Sequence, residues 1–170
     1  NPYVVMHTSP DKSKLMIRYG FHLLPSEEIL EHQTYPGINS YVILDVNTGE
    51  EINRISDLTF IPYSETLSKD GTYLIVGHTQ DMKERDFSTK EENWKHQASI
   101  YSTKTGELCF REDGKNECSY IHRTINGLTE IFISGFECYD KYYDQDTINR
   151  YLIKDNNLIV REASLNEGII

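Results

Sequence analysis

The chain has one tryptophan, five prolines and three cysteines among its 170 residues. No apolar stretch approaches the roughly 18–20 residues a membrane-spanning helix needs, so no such span is expected. Positive charge is in the minority, with a formal net charge of −10. A chain without a basic footprint is poorly suited to phosphate backbones, which argues against nucleic acid as the partner. Cys109, Cys118 and Cys138 are the only cysteines, and they fall in no metal-ligand spacing. They read as reduced thiols of a cytoplasmic protein, where disulfides rarely persist. The alternative pairs Cys109 with Cys118 across the turn at 112–115. No Asn-x-Ser/Thr acceptor is present, so nothing argues for secretion. The chain opens on Asn1, Pro2 and Tyr3 without Met, and is expected to start after a removed or upstream segment.

Catalytic signatures are missing as well. The six histidines, His7, His22, His32, His78, His96 and His122, form no ligand pair at helical or strand spacing. There is no Gly-x-Ser-x-Gly elbow, phosphate loop or dinucleotide fingerprint. The expectation is therefore no enzyme, with no catalytic residue, metal or cofactor to name. One arrangement keeps a hydrolase or metal-dependent enzyme open as an alternative. His7, Glu65 and His122 occupy comparable places in three repeated units, and such a trio could do acid–base work or bind a metal.

Tyrosine is abundant, at twelve residues, and β-branched residues occur throughout, which favours strands. The chain also repeats itself about every 57 residues, the sequence sign of a propeller or solenoid. Residues 41–50 return as 98–107, each ending Thr-Gly-Glu (Thr48, Gly49, Glu50; Thr105, Gly106, Glu107), and a worn third copy lies at 149–158. Upstream of each sits a second shared block, at 13–19, 71–77 and 129–135. Each unit reads as four short strands; in the middle unit they are 59–63, 73–76, 98–101 and 107–111. Gly71 and Gly106 fall in hairpin turns, where a left-handed backbone is wanted. Asn126-Gly127 and Asn156-Asn157 take those places in the third unit.

The hairpins at 44–52 and 101–109 resemble the third-to-fourth strand hairpin of WD40-like and quinoprotein-like β-propellers. The Trp-Asp dipeptide of the first group is absent, and no cofactor motif of the second can be carried over. The resemblance implies an all-β, propeller-like single domain over 1–170. Its three tandem four-stranded antiparallel blades would lie at about 1–55, 56–112 and 113–164. Propellers typically close with four to eight blades. Three blades imply a partial propeller, completed by a homodimer of six blades, by a larger propeller or by another chain. A sandwich in which the repeat is a relic is the other possibility.

The segments joining the second and third strands, 21–39, 79–97 and 136–147, do not match between units. They are long for hairpin connections, and long connections on a rigid scaffold often carry binding. The first holds Glu27, Glu28 and Glu31 with no Lys or Arg. The second holds Trp94, either a packing anchor or a partner contact. The third runs Tyr139, Asp140, Lys141, Tyr142, Tyr143, Asp144, Gln145, Asp146. Tyrosine gives rigid contact area, and carboxylates between the rings suit Lys/Arg recognition. Asp144 and Asp146 could also open a calcium loop, but the glycine and distant glutamate of that motif are missing. The function expected is a non-catalytic scaffold binding a basic protein through an acidic, tyrosine-rich face. A small acidic inhibitor or immunity-type protein blocking an enzyme is the alternative.

Overall fold

The computed structural model describes residues 2–21, 39–60, 62–79, 96–113, 119–125, 128–139, 142–155 and 157–164. Among these residues every regular element is a strand. The first four are β1 (Pro2–Thr8), β2 (Lys14–Phe21), β3 (Asn39–Asp45) and β4 (Glu51–Leu58). The next four are β5 (Pro62–Leu67), β6 (Tyr73–Thr79), β7 (His96–Ser102) and β8 (Leu108–Asp113). The last are β9 (Ser119–Ile125), β10 (Leu128–Tyr139), β11 (Tyr142–Lys154) and β12 (Asn157–Ser164). They form three four-stranded sheets in which every strand pairs antiparallel with its sequence neighbour. The chain is thus all-β, a partial propeller of three blades. No helix of the described residues is long and apolar enough to cross a membrane.

The turn chemistry follows the sequence. Gly49, Gly71 and Gly106 have φ of 74°, 67° and 76°, a region that costs other L-residues about 1–2 kcal/mol. The β5–β6 turn is a side-chain scaffold: Ser68 Oγ donates to Asp70 Oδ1 (2.9 Å) and accepts from Tyr73 N (2.9 Å), while Thr72 N donates to Asp70 Oδ1 (3.1 Å). The β1–β2 turn repeats it with Ser9, Asp11, Ser13 and Lys14, at 2.5, 3.0 and 3.0 Å. Lys12, at φ 60°, stands where Gly71 stands.

A β-bulge recurs in each third-to-fourth strand pair, between Ile43 and Leu44, Ile100 and Tyr101, and Leu152 and Ile153. These bulges fix equivalent positions. Met16 pairs with Ile43, Ile75 with Ile100 and Glu130 with Leu152, so Met16, Ile75 and Glu130 correspond. Aligning the blocks 13–19, 71–77 and 129–135 residue by residue puts Leu74 against Met16 instead. That slip of one residue moves side chains to the opposite face. The first strand of blade two is also displaced from 59–63 to Pro62–Leu67. Thr59 and Phe60 form a buried link instead, where Asn39 Nδ2 donates to the Phe60 carbonyl (2.7 Å) and Phe60 stacks on His78 (ring centroids 3.8 Å apart). Pro62 suits the first position of a strand because it donates no ladder hydrogen bond.

Two apolar seams hold the blades together. Blade one turns Met16, Tyr41, Ile43 and Ile55 towards Leu67, Leu74, Val76 and Tyr101 of blade two. Blade two turns Tyr73, Ile75, Ala98 and Ile100 towards Ile131, Tyr151 and Ile153 of blade three. Each blade thus has a leading face towards the next blade and a trailing face towards the previous one. β6 is buried over nearly its whole length because both its faces lie in seams, as its continuous apolar run implies.

Candidate functional site

The first seam contains a polar cluster built on β1, β2, β3 and β5. Arg18 Nε lies 2.9 Å from Glu65 Oε1 and 2.7 Å from Oε2, and Tyr41 Oη donates to Glu65 Oε2 at 3.0 Å. Arg18 and Glu65 side chains are only 10% and 5% exposed. Burial and the neighbouring Glu65 carboxylate push the Tyr41 hydroxyl well above its ordinary range, so it stays a neutral donor. His7 Nε2 stands 3.7 Å from Glu65 Oε1 with its side chain 43% exposed. That separation is too long for a hydrogen bond.

This arrangement answers the expected His7, Glu65, His122 trio. His7 and Glu65 do approach one another across the seam. His122 is on β9, in backbone register with Ile131 of β10. The side chain of His122 lies outside the described residues. Glu65 has both oxygens engaged by Arg18 and Tyr41, so the cluster fits an inter-blade latch better than a general base. Among the described residues no group of three or more His, Cys, Asp or Glu is placed to hold a metal ion.

A second polar chain is buried behind Phe60. His78 Nε2 lies 2.7 Å from Ser99 Oγ, His78 Nδ1 lies 2.6 Å from the Thr79 carbonyl, and Arg111 Nε donates to Ser99 Oγ at 3.2 Å. Ser next to an oriented His is the geometry of an activated nucleophile. Both residues are 0% exposed, which keeps a substrate away and leaves the pair a structural role. The Gly77-His78 end of β6 is the only sequence trace of it, because Ser99 and Arg111 lie on other strands.

The tyrosine-rich segment is the larger departure from the sequence. It is strand, not a long loop, over most of its length. β10 and β11 run through it, pairing Glu137 with Asp144, Cys138 with Tyr143 and Tyr139 with Tyr142. β9 pairs with β10 only as far as Ser134, and β12 with β11 only from Ile148. Beyond those points the paired residues form a two-stranded ribbon, offset by a bulge between Gly135 and Glu137. Tyr is a strand former, and a Tyr/Asp alternation satisfies a ribbon as readily as a loop. Tyr139, Tyr142, Tyr143, Asp144 and Asp146 are on this ribbon. Asp140, Glu27, Glu28, Glu31 and Trp94 lie outside the described residues, as does Cys118. Cys109 is a free thiol beside the second seam. Burial, with a smaller push from Glu107, raises the Cys109 thiol above its ordinary value, which works against thiolate chemistry.

Comparison with known proteins bears on the fold. No protein-family model matches the chain, and no curated protein matches it either. Among solved structures, it is similar to an acylaminoacyl peptidase in complex with Z-Gly-Gly-Phe-chloromethyl ketone. The identity is 14% and the TM-score 0.57, over 96% of this chain and 25% of that one. It is also similar to the Pyrococcus horikoshii acylaminoacyl peptidase, at 13% identity and a TM-score of 0.56, over 95% and 24% of the two chains. A third likeness, to the β-propeller domain of the Trilobed protease from Pyrococcus furiosus, has 13% identity and a TM-score of 0.44, over 95% and 42%. The chain spans about a quarter of the length of the two peptidases. At these identities the likeness shows the fold alone.

Proposed function

We propose that the chain is a non-catalytic binding module that takes a basic protein or peptide on the β10–β11 ribbon. The observation that supports this reading is the extension of β10 and β11 past both neighbouring strands, carrying Tyr139, Tyr142, Tyr143 and Asp144 on paired backbone. A paired ribbon fixes its residues before a partner arrives, which lowers the ordering cost of binding. Net charge of −10 would steer a cationic partner towards the protein. The kinship to WD40-like or quinoprotein-like propellers belongs to the same proposal and rests on the hairpins at 44–52 and 101–109.

Binding of a fluorescent Lys/Arg-rich peptide, followed by anisotropy, tests the reading. The double variant Tyr142→Ala, Asp144→Ala is expected to lose about 2 kcal/mol of binding free energy, the scale of an interface hot spot. Unchanged affinity in a variant with native circular dichroism would sink it. The names of the two similar peptidases favour a second reading, in which the chain is the non-catalytic propeller sector of a peptidase. Equal affinity for an uncharged peptide of the same length would favour that one.

A further inference from the structure

We draw no further inference here: the strongest candidate, the open trailing face of blade one, which bears exposed Val4 and Met6 and the Glu51–Arg54 ion pair over Tyr19, carries nothing because nothing in the structure shows what covers it.

Discussion

Glu65 shows how much of a seam can depend on one side chain. It accepts from Arg18 and Tyr41 across the blade boundary while almost fully buried. Removing one partner of such a pair leaves an uncompensated charge, which costs about 3–5 kcal/mol. Glu65→Ala should therefore lower the urea unfolding free energy by about that amount. Tyr41→Phe, which removes one hydrogen bond to a charged group, should cost about 1.5–3 kcal/mol. Tyr41 ionises above its unfolded value, so its contribution is whole below about pH 10 and is lost as pH rises further. An alkaline titration of stability should fall less steeply in Tyr41→Phe than in the wild type. None of this was legible in the sequence. Arg18, Tyr41 and Glu65 lie on three different strands, and only the fold brings them together. Glu65 did stand out, but as a match for His7 and His122 along the chain, and position along the chain does not tell which face a residue is on.

At the scale of the element, turns were the most legible feature and strand register the least. Gly49, Gly71 and Gly106 announced their positive φ, because few other residues tolerate it. The Ser-x-Asp scaffold of the first two hairpins was also present in the letters, as Ser9 with Asp11 and Ser68 with Asp70. Hydrogen bonds from Ser9 and from the Ser13 N–H lower the Asp11 carboxyl. For Asp70, burial pushes upward, and bonds from the Thr72 N–H and Ser68 outweigh it, so the net shift is downward. Lowered carboxylates contribute stability that is present above their unfolded value, near pH 4, and lost as pH falls through the folded one. Asp70→Asn should accordingly be less stable at pH 7 and show a shallower acid limb on unfolding. Lys12, with φ 60°, bears a strain that Gly71 does not, so Lys12→Gly should raise stability by up to about 1 kcal/mol. Register was hidden for a physical reason. Leu15, Met16 and Ile17, like residues 73–76, are apolar without alternation, so nothing in the run says which side chain faces which seam. The ribbon was hidden differently, since carboxylates among tyrosines look like a loop until the pairing is seen.

Across the whole molecule, stability resides in two interfaces rather than one core. Leu74 belongs to the first seam and Ile100 to the second, and both are fully buried. Truncating either to Ala should cost about 2–5 kcal/mol. Because they pack on opposite faces of blade two, the double variant should be additive to within about 0.5 kcal/mol in chemical denaturation. The repeat and the number of blades were legible, since related strand and turn blocks return at a fixed period. That Glu130 lies at the position of Met16 was not legible, because it depends on strand register.

Every strand in the described sheets pairs with the strand next to it in sequence, and that order has a consequence for how the chain is made. A blade needs nothing downstream to form its ladder, so each can zip up while the following residues are still being synthesised. Its leading face, however, stays wet until the next blade arrives. The leading face of blade one is dried only when blade two has formed, and that of blade two only when blade three has.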